Sequence, residues 1–61
     1  MKQPIDKNGN AVSVGNCLMR DQQWDTIIRI DDNTEQVWYK NGGFNWFEEI
    51  KYFIQRNSNA C

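Results

Sequence analysis

The chain has 61 residues, 39% of them hydrophobic and 13% aromatic, and seven basic residues oppose eight acidic ones. A chain of this length forms one domain with a thin core, because folding buries only about 60% of its surface. It contains no apolar run long enough to span a membrane. No secretory signal is visible at its N-terminus. Its aromatic content is too high for a disordered chain, so we expect a soluble globular domain.

The first half of the chain predicts a polar arm followed by two strands. Residues 1–11 are polar and contain the only proline and an Asn-Gly pair, so we expect an N-terminal arm. The domain should then span residues 12–56, and residues 57–61 should form a polar tail. Cys17–Arg20 predicts a short first strand. Trp24–Ile30 predicts a second strand, because it is rich in β-branched and aromatic residues.

Two further strands are predicted around a tight hairpin. Asp31-Asp32-Asn33 is a cluster of turn residues, and the strand after it should span Thr34–Lys40. Asn41-Gly42 predicts a two-residue type I′ turn, which needs positive φ at both central residues. Phe44–Phe47 should return from that turn as the fourth strand.

The segment after Phe47 fits two predictions. Its apolar residues recur at helical spacing, and Asn45 followed by Glu48 resembles a capping box. Some of the same residues also alternate as in a strand. We favour a helical turn over residues 47–50 followed by a short strand, and the alternative is one continuous helix to about Gln55.

The predicted turns are Asp21–Gln23, Asp31–Thr34 and Asn41-Gly42. They pair Cys17 with Ile27, Ile28 with Val37, and Tyr39 with Phe44. Because side chains alternate along a strand, these pairings assign the side chains to two faces of the sheet. One face is the expected core, formed by Leu18, Thr26, Ile28, Ile30, Val37, Tyr39, Phe44 and Trp46. The other face should carry an outer apolar patch formed by Cys17, Met19, Ile27 and Trp38.

This order of short strands resembles a small SH3-like barrel. The resemblance covers most of residues 12–54 and is carried by Val14-Gly15-Asn16-x-Leu18, Ile28-x-Ile30-Asp31, Val37-Trp38-Tyr39 and Gly43-Phe44-x-Trp46-x-x-Glu49-Ile50. It implies a mainly β fold of four to five antiparallel strands, with a helical turn or short helix near the C-terminus. Barrels of this kind bind peptides, bind nucleic acids or serve in assembly.

A second resemblance concerns the whole chain. Its size and its content of Asn and Ile are similar to those of small accessory proteins of bacteriophages. Some of those proteins inhibit bacterial defence systems, including the BREX type. This resemblance implies a viral protein that acts in the bacterial cytoplasm.

Several chemistries are not expected. The chain has no histidine, so it lacks the commonest general base and we expect no enzyme. Two cysteines cannot supply a zinc site. Asp6-x-Asn8-x-Asn10 and Asp31-x-Asn33-x-Glu35 lack the glycine and glutamate that a calcium loop needs at its sixth and twelfth positions. We therefore expect neither a metal nor a cofactor.

Charge and cysteine content bear on partners and location. The basic residues are scattered and the isoelectric point is near 5.1, which counts against nucleic acid. We expect Cys17 and Cys61 to be free thiols in a reducing cytoplasm, because small secreted scaffolds usually carry four or more cysteines.

The leading functional expectation is a non-enzymatic protein-interaction module. Its partner-binding residues should be Met19, Ile27, Arg29 and Trp38, since such patches mark contacts and Trp, Met and Arg are enriched at interfaces. The partner would be a larger host protein that the chain binds and blocks. A homodimer through the same patch is also expected. One alternative is a nucleic-acid-binding module in which Trp38 or Trp24 stacks on a base while Arg20, Arg29 and Lys40 contact phosphate. The other is a small structural component of a virion.

Overall fold

One open antiparallel sheet organises the chain, in a computed structural model that describes residues 3–54 and 56–58. Its elements are β1 (Cys17–Arg20), β2 (Gln23–Asp31), β3 (Gln36–Tyr39), β4 (Phe44–Trp46), α1 (Phe47–Phe53) and β5 (Asn57–Ser58). The strand order across the sheet is β4-β3-β2-β1-β5. The prediction of a mainly β fold of four to five antiparallel strands, with a helical turn or short helix near the C-terminus, is confirmed: the structure has five strands and one short helix.

The turn between β1 and β2 is one residue shorter than predicted. It consists of Asp21 and Gln22, whose φ angles are 50° and 65°. Positive φ at both positions is the requirement of a type I′ hairpin turn. Cys17 therefore pairs with Thr26 instead of Ile27. Because a shift of one residue moves every side chain to the opposite face, β2 turns the other face to the core here.

A β-bulge in β2 changes the faces again further along the strand. The register of β2 against β3 shifts at Ile28. On either side of this extra residue, Ile27 pairs with Tyr39 and Ile30 pairs with Val37, and all four contribute to the core. Ile28 itself is 56% exposed, so its predicted place in the core is wrong.

The turn between β3 and β4 is one residue longer than predicted. Residues 40–42 form it, where the sequence predicted Asn41-Gly42 alone. Gly42 and Gly43 have φ angles of 95° and 80°, which would strain any residue with a side chain. The longer turn shifts the register by one residue. Phe44 and Trp46 therefore lie on the face opposite the core, and their predicted core positions are wrong.

The core lies on one face of the sheet, which α1 covers with Phe47 and Ile50. Its buried residues are Val12, Leu18, Ile27, Val37, Tyr39, Phe47, Ile50 and Ile54, with Ile30 packed against them. Leu18, Val37 and Tyr39 are core residues as predicted. Thr26, also predicted there, is half-buried.

The C-terminal segment matches neither prediction fully. The helix α1 is longer than the favoured turn and ends at Phe53. The alternative helix was predicted to reach about Gln55, which lies outside the described residues. The capping contact occurs one residue later than Asn45 and Glu48: the Trp46 backbone N–H donates to Glu49 Oε1 at 3.0 Å. Among the described residues, no helix is long and apolar enough to cross a membrane.

A buried carboxylate joins the N-terminal arm to β5. Asp6 is 2% exposed and accepts hydrogen bonds from the backbone N–H groups of Asn8 and Asn10, at 2.8 and 2.9 Å, and from Asn57 Nδ2 at 3.3 Å. Burial raises the pKa of Asp6, but these donors outweigh burial and hold the pKa below its ordinary value of 3.8.

The domain boundaries at residues 12 and 56 stay predictions. Both flanking segments contribute to the folded unit, since Asp6 of the predicted arm is bound to Asn57 of the predicted tail, and β5 of that tail pairs with β1.

The state of Cys17 corrects a prediction. Its sulfur is in a disulfide, so the prediction of a free thiol at this position is wrong. Cys61 is the only other cysteine of the sequence, and it lies outside the described residues. Cys17 is 2% exposed and pairs with Ser58 of β5, three residues before that cysteine. Cys17 therefore does not supply the free thiol from which a reducing cytoplasm was predicted.

We expect reduction to destabilise the protein. Removing a cross-link between Cys17 and Cys61 should cost about 2–4 kcal/mol, since the unfolded chain regains the entropy of the open loop. In a domain of this size each kcal/mol shifts the Tm by about 4–8 °C. Thermal unfolding should therefore show a lower Tm with reductant. The double variant Cys17→Ser/Cys61→Ser should melt with the reduced protein and ignore reductant. An unchanged Tm on reduction of the parent would contradict the cross-link.

Candidate functional site

Three aromatic side chains form a row on the sheet face opposite the core. The ring centroids of Trp38 and Phe44 are 4.9 Å apart, and those of Phe44 and Trp46 are 5.1 Å apart with the rings perpendicular. The guanidinium of Arg29 lies over the Trp38 ring, 5.4 Å from its centroid. We call these four residues the aromatic ladder.

The strand pairing places the ladder residues side by side. Arg29 of β2 pairs with Trp38 of β3, and Trp38 pairs with Phe44 of β4. Cross-strand aromatic pairs of this kind stabilise a sheet. The bulge at Ile28 and the long β3–β4 turn both contribute to this alignment, because each shifts the register by one residue. Local backbone irregularities therefore create the row.

The aromatic residues of the ladder form a continuous apolar surface across β3 and β4, and Arg29 of β2 borders it. Trp46 is 46% exposed, Arg29 is exposed, and Trp38 and Phe44 are half-buried. Contiguous exposed apolar surface usually marks a contact site, whereas single exposed apolar residues do not. Trp and Arg are also the residues that most often dominate binding energy at protein interfaces.

The charge on Arg29 is only loosely paired. Its Nη2 lies 3.8 Å from Asp31 Oδ2, a distance too long for a hydrogen bond, and the two side chains are 61% and 26% exposed. The other oxygen of Asp31 accepts from the backbone N–H groups of Asn33 and Thr34, at 3.0 and 3.3 Å. These bonds hold the carboxylate in the β2–β3 turn and away from Arg29.

Trp38 carries an unusual polar atom. Its indole Nε1 is buried and has no hydrogen-bond partner within the part of the chain that the structure describes. Most buried donors are paired, since an unpaired one keeps the full cost of its desolvation. The ladder therefore holds two donors, the Arg29 guanidinium and the Trp38 indole, whose hydrogen bonds are incomplete.

A second polar cluster, around Arg20, is fully used inside the protein. Arg20 Nη2 lies 2.9 Å from Asp25 Oδ2 and donates to the Gly42 carbonyl oxygen at 2.7 Å, and the guanidinium lies 3.9 Å from the centroid of the Tyr39 ring. Burial raises the pKa of the Tyr39 hydroxyl above its ordinary value of 10.0, and this neutral hydroxyl donates to Asn45 Oδ1 at 2.7 Å. The cluster ties the β1–β2 hairpin to the β3–β4 turn.

The structure brings together only part of the predicted binding patch. Arg29 and Trp38 are neighbours. Ile27 is 1% exposed, so its predicted place on the outer face is wrong. Met19 is half-buried and pairs with Trp24 near the β1–β2 turn. Cys17, which was also assigned to that patch, is buried and disulfide-bonded.

Phe44 and Trp46 were predicted in the core and are surface residues of the ladder. The sequence predicted a two-residue turn between β3 and β4, and that turn places both side chains on the core face. The signal that could have revealed them is the second glycine, Gly43, which follows Asn41-Gly42 and permits a longer turn. With three turn residues, period-two alternation places Trp38 and both aromatic residues on one face.

The two loops with calcium-like spacing use their leading carboxylates internally. Asp6 binds its own loop and Asn57, and Asp31 binds its own turn. Over residues 3–54 and 56–58, no three His, Cys, Asp or Glu side chains gather in a group that could hold a metal ion.

Comparison with known proteins finds no matching family model, no similar curated protein and no similar solved structure. Because no similar protein indicates a function, the proposed function rests on the aromatic ladder.

Proposed function

We propose that the chain is a non-enzymatic interaction module that binds a larger protein through the aromatic ladder. The observation that carries the proposal is the row of Trp38, Phe44 and Trp46 on an open sheet face, with Arg29 at one end. A chain of this size needs only one rigid surface to bind and block a larger host protein. The resemblances to SH3-like barrels and bacteriophage proteins stay predictions, as does a cytoplasmic location.

Charge supports a protein partner over a nucleic acid. Backbone binding to nucleic acid needs several cations along one surface. The ladder supplies Arg29, which already has Asp31 beside it. Arg20, a second cation that the nucleic-acid alternative needs, is bound to Asp25 and Gly42. The net charge of the chain is −1.

We propose that the same surface also allows two copies of the chain to form a homodimer. Strands β4 and β5 are the two edges of the sheet, but they have only three and two residues, and the Trp46 N–H of β4 is used by Glu49. Short edges with occupied backbone groups resist pairing with another strand. Two copies would therefore associate through their ladders, face to face.

The test compares two tryptophans of equal exposure. Trp46 is 46% exposed in the ladder, and Trp24 is 45% exposed near the β1–β2 turn. We expect Trp46→Ala to weaken binding about 30-fold or more, as loss of an interface tryptophan worth about 2 kcal/mol does. Trp24→Ala should bind like the parent. Proteins captured from bacterial lysate are purified and titrated with each variant, and light scattering follows self-association.

Circular dichroism establishes that both variants are folded before binding is compared. If Trp24→Ala loses binding and Trp46→Ala keeps it, the ladder is not the contact surface. Binding to single-stranded DNA that weakens steeply with salt would favour the nucleic-acid alternative.

A further inference from the structure

We infer that the partner presents to the ladder a carboxylate flanked by apolar side chains, with the carboxylate at Arg29 and the apolar side chains against Phe44 and Trp46. This inference rests on the proposed function, since it names the chemistry that the same surface recognises. It is carried by the incomplete pairing of Arg29, by its aromatic surroundings, and by the charge of the rest of the chain.

Arg29 is oriented but not neutralised by a hydrogen bond. The Trp38 ring lies under its guanidinium, and Asp31 remains 3.8 Å away, held by its bonds to the turn. A guanidinium has a planar fork of donors that matches a carboxylate in a two-point contact. An incoming carboxylate can therefore make the hydrogen bonds that Asp31 does not make.

The aromatic side of the ladder strengthens such a contact. Apolar residues of a partner packed on Phe44 and Trp46 would exclude water from the neighbouring ion pair, and charges attract more strongly where water is excluded. The Arg29 guanidinium, held over the Trp38 ring, therefore favours a partner with a carboxylate beside apolar groups over a purely apolar partner.

A protein carboxylate fits better than a phosphate backbone. One cation beside Asp31 matches one isolated carboxylate, whereas a nucleic acid presents a row of charges. Glu35, Asp31 and Asp32 surround the adjacent β2–β3 turn and would repel such a row.

The experiment uses two blocked tripeptides that differ in one charge. Acetyl-Leu-Glu-Leu-amide and acetyl-Leu-Gln-Leu-amide are titrated into the ¹⁵N-labelled full chain. The indole N–H signals of its three tryptophans and the Nε–H signal of Arg29 are followed by NMR. We expect the Glu peptide to bind about two- to fivefold more tightly, the range of exposed ion pairs. The shifts should concentrate at Trp38, Trp46 and Arg29, and not at Trp24.

Two charge-removing variants complete the design. Arg29→Gln should abolish the difference between the two peptides. Lys40→Gln removes the same charge from the exposed β3–β4 turn and should retain the difference. In 0.5 M NaCl the preference for the Glu peptide should shrink in the parent, because salt screens exposed charges.

Each outcome discriminates between the two proposals. Equal binding of both peptides at the ladder, or a preference that survives in Arg29→Gln, would overturn the inference and leave the proposed function standing. No binding of either peptide at the ladder would also overturn the inference, whereas the proposed function is decided separately by the comparison of Trp46→Ala with Trp24→Ala. Tighter binding of a six-nucleotide single-stranded DNA than of the Glu peptide would assign the anion to nucleic acid instead.

Discussion

Replacing Ile27 by Ala is expected to lower the free energy of unfolding by about 2–5 kcal/mol, the cost of removing a large aliphatic side chain from a core. Ile27 is 1% exposed and pairs with Tyr39 at the centre of the buried face. A domain of this length has roughly 3–9 kcal/mol of total stability, so the variant should be largely unfolded at moderate temperature. Urea denaturation followed by circular dichroism measures the change.

The neighbouring isoleucine is a matched control. Ile28→Ala makes the same chemical change one residue later, but Ile28 lies in the bulge and is 56% exposed. Its effect should stay within about 0.5 kcal/mol, as for most surface substitutions. If Ile28→Ala were the more destabilised variant, the observed register of β2 would be wrong and the alternation predicted from the sequence would be right.

Replacing Arg20 by Met is expected to cost about 3 kcal/mol, because it leaves the buried Asp25 carboxylate without its partner; the 23% exposure of Arg20 lets water offset part of the loss. Asp25 is 5% exposed and would keep only the Asn41 backbone N–H, at 3.3 Å, among its described hydrogen bonds. Met has an apolar side chain of similar length but lacks the guanidinium that lies over the Tyr39 ring, so the loss comes from the charge, its hydrogen bonds and this cation–π contact. Thermal and urea unfolding both report it.

Two further variants separate charge loss from pair loss. Arg29→Met removes the same charge from an exposed position and should change stability by less than about 0.5 kcal/mol. The double variant Arg20→Met/Asp25→Asn should be less destabilised than the sum of its two single changes, because the residues interact. Strict additivity would show that the Arg20–Asp25 contact does not contribute to stability.

The elements of the fold follow from local sequence. The strands β1 to β4 lie where β-branched and aromatic residues cluster between turn residues, within a few residues of the predicted bounds. The helix α1 begins at Phe47, where apolar residues take up helical spacing. These features depend on neighbours along the chain, so composition and periodicity are enough to find them.

The pairing of those elements was predicted less well. The three strand pairings within β1–β4 all differ from the predicted registers. The β1–β2 turn is one residue shorter, the β2–β3 turn lies at residues 32–35 instead of 31–34 and β2 has a bulge, and the β3–β4 turn is one residue longer. Each change of one residue reverses the faces of a strand. For this reason Ile27, which was predicted on the outer face, is buried, and Ile28, which was predicted in the core, is exposed. Trp46 was also predicted in the core and lies on the surface.

The candidate site shows the same division. Arg29 and Trp38 were named from the sequence, because exposed Trp and Arg indicate contacts wherever they fall. Their neighbours were not found, since Phe44 and Trp46 join them only through the observed β3–β4 register. The disulfide at Cys17 was also missed, because cysteine count indicates a compartment and not the approach of two distant residues.

Residue types and their spacing determined where this chain forms strands, where its helix begins, and which chemistries it lacks the residues for. Only the tertiary structure decided which isoleucines are buried, which arginine is used internally, and which aromatic residues share a surface. The physical reason is that alternative turns of two or three residues differ little in local free energy. The register is chosen by the total burial that each turn allows across the whole sheet, which brings Ile27, Val37 and Tyr39 into the core and leaves the aromatic ladder outside.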